Sequence, residues 1–238
     1  PSVTPPAPEQ AEFVSVYLVL NPGKGSAWFD DAQAVRGTTP PGNFRPVAIR
    51  AACNTGFRDE VADDKQGGWT DQGPNDLRNI QPGTQTLRGI PFEILDGNDR
   101  TCIVLRGKGR QDVAETATFP VNLTADVLYF LHACAWAGRP GTLVGGYTVA
   151  YADGTTVIVP LRNGNEIADW WKPGDLDACA VGWEGTNAAS NSLSLGIFPW
   201  VNPNPEKAIA SVTARTTGKD ADRKSTRLNS QSPNTISY

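Results

Sequence analysis

Hydrophobic and polar residues alternate along most of the chain between residues 46 and 216, the pattern of half-buried β-strands. The clearest case is the run of residues 147–159, where β-branched and aromatic residues flank Asp153 and Gly154. This run predicts a β-hairpin, and its Asp-Gly pair predicts a type I′ turn at the tip. Further strand-like runs, separated by turn residues, begin at Pro46, Pro91, Thr101, Val127, Gly145, Ala178, Leu193 and Ala208.

No segment of ten or more residues shows convincing helical periodicity. About eight short strands with polar turns between them are typical of a sandwich or a jelly-roll. The sequence therefore predicts an all-β fold, with residues 46–216 as one β-sandwich domain.

The first 36 residues carry a separate strand signal. Residues 12–20 and 26–31 are two strand-like runs joined by Asn-Pro-Gly-Lys-Gly, which predicts a hairpin. The second run, Ser-Ala-Trp-Phe-Asp-Asp, resembles the closing strand of carbohydrate-binding jelly-rolls. That resemblance implies that residues 1–36 are the C-terminal strands of a truncated upstream module. Residues 37–45 are rich in Gly, Pro and Thr and predict a linker.

The end of the chain has no strand pattern, and residues 217–238 predict a disordered tail. Residues 222–230 (DRKSTRLNS) and the terminal ISY resemble a translated sequencing adapter, a contaminant of metagenomic gene fragments. Residues 222–238 are therefore not expected to belong to the natural fold. We expect the natural protein to continue, or to differ, beyond about residue 221.

Charge and hydropathy argue against two kinds of partner. The chain has 21 basic and 25 acidic residues, a net charge of −4, and no basic stripe, so we expect no nucleic-acid partner. No apolar run approaches the roughly 20 residues that cross a bilayer, so we expect no membrane span. The four cysteines form no CxxC pair, which argues against a zinc site and leaves buried thiols or disulfides as interpretations.

The candidate ligand site lies in the long loop of residues 54–78. Proteins recognise sugars with a flat aromatic face against the C–H groups and planar polar side chains at the hydroxyls. The loop offers both kinds of group within a short span, namely Trp69, Asp71, Gln72, Asn75, Asp76 and Arg78. The alternative interpretation is that its Asp and Asn residues satisfy turns while Trp69 plugs the edge of the sandwich.

Two further clusters supply candidate contacts. His132, the one histidine of the chain, lies in a run where Phe130, His132, Cys134 and Trp136 would share one face of a strand. It is a candidate ligand contact or a hydrogen-bonded structural residue. Trp170 and Trp171 are adjacent, so in a strand they point to opposite faces and at most one is core. The other would be an exposed stacking surface.

Residues 57–212 resemble a galactose-binding-like domain of large secreted bacterial glycan-degrading proteins. The resemblance rests, in this order, on GFRDE, GGWTDQGPNDLR, GIPFEILD, CIVLRG, LYFLHACAW, YTVAYADGTT, IADWW and WVNPNPEKAIASV. It implies an extracytoplasmic accessory β-sandwich whose partners are a glycan and neighbouring domains of the same polypeptide. Relatives of this fold often hold a structural Ca²⁺, for which Asp59, Glu60, Asp63 and Asp64 are candidate ligands or, alternatively, a solvated acidic loop. We expect no other cofactor.

The function that these features favour is a non-catalytic carbohydrate-binding module. One alternative is a structural spacer that packs against a catalytic domain. Another is a glycoside hydrolase or lyase fragment, for which Glu60, Asp71, Asp76 and Asp169 are available carboxylates. No GxSxG, HExxH or P-loop motif is present, and no motif pairs these carboxylates.

Overall fold

The computed structural model describes residues 44–217. The chain separates into two compact units, Pro1–Arg45 and Pro46–Tyr238, and nearly all described residues belong to the second. The predicted hairpin of residues 1–36, the linker up to residue 43 and the tail beyond residue 217 lie outside the described residues.

Residues 44–217 form nine β-strands and no helix, so the predicted all-β class is confirmed for this part of the chain. The strands are β1 Gly83–Leu87, β2 Ile90–Ile94, β3 Thr116–Leu123, β4 Val127–His132, β5 Leu143–Tyr151, β6 Thr156–Arg162, β7 Ala180–Gly185, β8 Leu193–Val201 and β9 Ile209–Thr216. Accordingly, no helix of residues 44–217 is long and apolar enough to cross a membrane.

The strands form two main sheets and one hairpin, and all pairs are antiparallel. One sheet has four strands in the order β3-β9-β5-β6, the other has three in the order β4-β8-β7, and β1 pairs with β2. Buried side chains of β3, β5, β6 and β9 pack against those of β4 and β8, and we call this cluster the inter-sheet core. At its centre Val149 of β5 lies opposite Val212 of β9, and both are fully buried. The architecture is β-sandwich-like.

Strand β8 is buried on both faces, which a two-layer sandwich does not require. Phe198 and Trp200 belong to the inter-sheet core, whereas Leu193 and Leu195 point to the opposite face, as strand alternation dictates. On that face a second cluster forms, which we call the loop-capped core: Leu77, Ile80, Ile94, Trp170, Leu193 and Leu195. The long loop and the β1–β2 hairpin therefore make a third layer over the three-stranded sheet.

Two predicted strands are wrong. Residues 46–53 form no strand and contain a turn at residues 50–52, closed by hydrogen bonds from Ala52 N and Cys53 N to Ile49 O. Residues 101–107 contribute only isolated bridges, at Cys102 and Gly107. The apolar residues of both segments pack against the inter-sheet core without joining a sheet. Strands β1 and β3 were not anticipated, because the first is mostly polar and the second carries a proline, Pro120, at its centre.

The hairpin of β5 and β6 forms as predicted, but its turn differs. Gly154 has a φ of +84°, but Asp153 is not among the residues of positive φ. A type I′ turn requires a positive φ at both of these positions. Gly154 N donates to Tyr151 O at 3.0 Å, and Tyr151 N donates to Thr155 O at 2.9 Å. The loop is therefore a type I-like turn followed by a left-handed glycine. The Asp153 carboxylate stabilises it by accepting from Thr155 N and Oγ1.

Candidate functional site

The long loop is folded around carboxylates that the protein itself uses. Asp76 is 1 % exposed and accepts hydrogen bonds from the backbone of Asp59 at 2.7 Å and of Arg78 at 3.0 Å. Its carboxylate also receives Nε and Nη2 of Arg78, a bidentate ion pair. This pair raises the pKa of Arg78. Asp76 and Arg78, both predicted sugar contacts, are thereby bound to each other and to the loop backbone.

Asp71 and Asn75 have the same internal role, as the alternative interpretation of the loop proposes. Asp71 is 5 % exposed, and both its carboxylate oxygens lie within hydrogen-bond distance of Lys65 N. Asn75 donates to the Gln72 side chain at 2.8 Å and accepts from Asn187 Nδ2 at 2.8 Å. Gln72 is the one predicted contact of this loop that is exposed.

Trp69 belongs to the packing of the loop-capped core. Its ring meets that of Trp170 edge to face, with centroids 4.9 Å apart. It is partly buried, and its indole Nε1 is buried without a hydrogen-bond partner among the described residues. The ring therefore offers little free face for stacking in this conformation.

The candidate metal ligands divide into two groups. Carboxylate oxygens of Asp59, Asp64 and Asp71 lie within 4.8 Å of one another, a spread compatible with oxygen ligands around one Ca²⁺. Burial raises the pKa of Asp59, and the neighbouring charges of Asp71 and Asp64 add to the rise. Glu60 instead lies 3.6 Å from Arg78 Nη2, and Asp63 enters the loop through its backbone N–H, which donates to Asp71 O.

The residues present fit a hard cation, although Asp59 already accepts hydrogen bonds from Val61 N and Gly73 N. Asp71, which the structure adds to the cluster, was anticipated as a sugar contact. The calcium site stays a prediction.

Arg110, which sequence reasoning missed, ties this loop to the next one. It is 5 % exposed, pairs with Asp112 at 2.9 Å and donates to the carbonyls of Gly67 and Gly68. The ion pair raises the pKa of Arg110 and lowers that of Asp112. Two carbonyls and a carboxylate thus hold the buried guanidinium. The i, i+2 spacing of Arg and Asp in the sequence was the only signal for it.

His132 lies between the sheets with both ring nitrogens bound to protein groups. Nε2 is 3.0 Å from Glu166 O, which can only accept, so Nε2 carries the proton and Nδ1 accepts from Tyr147 OH at 2.8 Å. Burial lowers the pKa of His132 to about 4, so the ring is neutral at pH 7. The strand ends at His132, and the expected shared face therefore does not extend to Trp136.

The four cysteines are free thiols, in agreement with the first of the two interpretations. Cys179 Sγ is 3.9 Å from His132 Nε2, the spacing of a loose Cys–His pair. Burial raises the pKa of Cys179 to about 11, and the facing Nε2 carries a proton. This pair therefore has neither a thiolate nor a base, and nucleophilic chemistry does not follow from it.

Trp170 and Trp171 divide as predicted, although they lie in a turn. Trp170 is 3 % exposed within the loop-capped core, whereas Trp171 is 46 % exposed. The turn is fixed by Trp171 N donating to Asp169 Oδ1 at 3.0 Å and by Lys172 N donating to Asp169 O at 2.9 Å. Trp136 is also exposed, at 38 %. These two indoles are the exposed aromatic surfaces of the described residues.

Comparisons of this chain with protein-family models, with curated proteins and with solved structures find no match.

Proposed function

We propose that residues 46–216 are a non-catalytic carbohydrate-binding module, a galactose-binding-like sandwich within a larger, extracytoplasmic glycan-degrading protein. The observation that carries the proposal is Trp171, an indole that is 46 % exposed above a buried tryptophan. An exposed indole on a fixed backbone is what the apolar C–H face of a sugar ring stacks on.

The surroundings of Trp171 favour a pre-formed binding surface. Its ring centroid lies 6.2 Å from that of Trp170, with a tilt of 58° between the planes. Trp170 N in turn donates to Cys134 O at 3.0 Å, which anchors the turn to the segment after β4. Binding to a rigid surface of this kind costs little entropy, because the side chains of the surface are already ordered.

The state of the acid–base groups supports binding over hydrolysis. Asp71 and Asp76 are buried and bound to backbone N–H groups or to Arg78. A hydrolase needs two carboxyls that face a cleft with room for the sugar. Neither of these two offers its oxygens to solvent.

The spacer alternative has one observation in its favour, on the outer face of the four-stranded sheet. Thr118, Thr213, Thr148 and Ile158 lie in one row across β3, β9, β5 and β6. Ile158 is 75 % exposed, and Thr118 Oγ1 is 2.8 Å from Thr213 Oγ1. A flat, uncharged row of this kind suits packing against a neighbouring domain.

The test is isothermal titration of the whole chain with five hexasaccharides: β-1,4-glucan, xylan, mannan and galactan fragments and an α-1,5-arabinan fragment. We expect saturable binding to at least one of them. Trp171→Ala should weaken that binding about tenfold or more with little change in Tm. Ile158→Ala is the matched control, since it removes an exposed apolar side chain from the other sheet and should leave affinity unchanged. A folded chain that binds none of the five contradicts the proposal and favours the spacer.

A further inference from the structure

Trp136 has a backbone conformation that a bulky residue rarely adopts. Its φ is +52°, in the left-handed region, which is a genuine outlier for an aromatic side chain. Strain of this kind is unfavourable and persists only where the surroundings impose it, most often at functional sites. Despite that cost the indole is 38 % exposed, so burial of the ring does not explain its conformation.

A backbone pairing joins the segments that carry Trp136 and Trp171. Cys134 and Asp169 form an isolated parallel bridge, with Cys134 N donating to Ala168 O at 2.9 Å and Cys134 O accepting from Trp170 N at 3.0 Å. Trp136 and Trp171 each lie two residues beyond this bridge. Because the two segments run in the same direction, Trp136 and Trp171 follow the same end of the pairing.

The Trp136 ring packs against a glycine, Gly109. A Cβ added to Gly109 would lie 2.5 Å from Cζ3 and from Cη2 of Trp136, and 3.0 Å from Thr70 O. Gly109 is not among the residues of positive φ, so its backbone alone does not require glycine. A larger residue here would have to displace the indole.

Gly109 lies in a turn that backbone and side-chain hydrogen bonds fix. Gly107 and Arg110 exchange backbone hydrogen bonds of 3.1 and 3.2 Å, which closes the turn that contains Gly109. The buried Arg110 then fastens this turn to the carbonyls of Gly67 and Gly68 in the long loop. The polar network of the long loop therefore fixes the turn that contains Gly109, against which the Trp136 ring packs.

We propose that Trp136, positioned by Gly109, is a second stacking residue beside Trp171, and that the site takes a chain of at least two sugar units. The inference rests on the proposed function. Two half-exposed indoles among polar side chains, with Asp169 half-buried and Lys172 exposed, suit a ligand that is apolar on its faces and polar on its edges. A glycan chain has that character, and the strained backbone holds the second indole ready for it.

The test uses the whole chain, the hexasaccharide that binds best in the titration above, and the monosaccharide of the same sugar. The monosaccharide should bind at least about tenfold more weakly than the hexasaccharide. Trp136→Ala and Gly109→Ala should each weaken hexasaccharide binding about tenfold, the second because the new methyl displaces the ring. Gly107→Ala is the matched control: its Cβ meets nothing closer than Leu105 O at 4.0 Å, and it should bind like the parent chain.

The outcomes separate the two proposals. If Trp171→Ala loses binding while Trp136→Ala and Gly109→Ala bind like the parent, the second stacking residue is wrong and the proposed function stands. If no hexasaccharide binds, both are wrong. If the tryptophan variants change the oligomeric state on size exclusion and leave sugar affinity unchanged, a second copy of the chain covers this face, and the inference is overturned. Should Gly109→Ala fail to fold, Trp136→Ala alone decides.

Discussion

The inter-sheet core and the loop-capped core lie on opposite faces of β8, yet they are built by different means. The inter-sheet core is a set of alternating strand positions, with Val149 and Val212 fully buried at its centre. The loop-capped core has β8 on one side, and its cover is the β1–β2 hairpin together with a loop shaped by Asp59, Asp76 and Arg110. The first is stabilised by apolar burial, whereas the second depends on buried charges that satisfy a loop backbone.

The difference teaches where each core is vulnerable. Removing apolar volume from the inter-sheet core creates a cavity that both sheets surround. Removing Asp76 from the loop leaves the buried Asp59 N–H and the partly buried Arg78 guanidinium without their carboxylate, and both groups belong to the loop. We therefore expect global unfolding in the first case and local opening in the second.

The largest effect should come from Phe198→Ala. Phe198 is 7 % exposed, and its ring lies 5.8 Å from His132 and 6.3 Å from Phe130 by centroid. We expect a loss of about 3–5 kcal/mol in the free energy of unfolding, measured by urea denaturation. Hydrogen exchange should quicken across both sheets. Quickening confined to the loop would break the comparison.

Asp76→Ala should lower the free energy of unfolding by about 2–3 kcal/mol, because it leaves the Asp59 N–H and the Arg78 guanidinium without their carboxylate partner. Faster hydrogen exchange should be concentrated in residues 57–80, with the sheets protected. Asp175→Ala is the matched control, since it removes an exposed carboxylate that pairs with Arg88 and accepts from Val181 N, and it should change the free energy of unfolding much less than Asp76→Ala does. Equal losses from the two variants would contradict a special role for Asp76.

Mild acid should act on the inter-sheet core through His132. Its pKa is about 4 in the folded chain and about 6.5 in the unfolded chain, so the unfolded state binds the extra proton between these values. Protonation of His132 does not affect the free energy of unfolding above pH 6.5, and it should lower that free energy by about 2–3 kcal/mol as the pH drops to 4. The double variant His132→Phe, Tyr147→Phe removes the titrating ring together with its hydroxyl partner. Its free energy of unfolding should lose most of this slope, and an unchanged slope would exclude His132 as the cause.

The calcium prediction gives the smallest effect and concerns the loop-capped side alone. Calcium at about ten times its Kd should add about 1.4 kcal/mol, which raises Tm by roughly 3–6 °C. Asp64→Asn should abolish the rise, since Asp64 is the exposed member of the three-carboxylate cluster. A Tm that calcium leaves unchanged in the parent chain would contradict the site.

Strand prediction succeeded where alternation carries the information. Strands β5, β6 and β9 lie where the sequence predicts them, because one side chain in two faces the inter-sheet core. Strand β8 also lies where the sequence predicts it, although both its faces are buried. Residues 46–53 show the limit, since their apolar side chains pack on the inter-sheet core from a turn. Apolar residues in a short run reveal burial, but they do not reveal whether a neighbouring strand is available to pair.

The candidate site was predicted in part. One exposed member of the Trp170–Trp171 pair was predicted, because adjacent side chains in an extended chain point apart. The structure decides that it is Trp171. Trp136 was assigned to a strand face, and Gly109 and Arg110 were not considered. Their roles depend on contacts with residues such as Thr70 and Gly67, which are distant in the sequence.

The sequence by itself determined the all-β class and the alternating inter-sheet core, because both follow from the period-two pattern of adjacent residues. Only the tertiary structure decided which polar residues are buried partners and which aromatic rings reach solvent. From the sequence Asp76 is a candidate sugar contact, but in the structure its carboxylate binds Arg78 and the Asp59 N–H. From the sequence Trp136 is a strand residue, but in the structure its ring packs against Gly109. Such assignments depend on which distant segments meet, and local propensity carries no information about that.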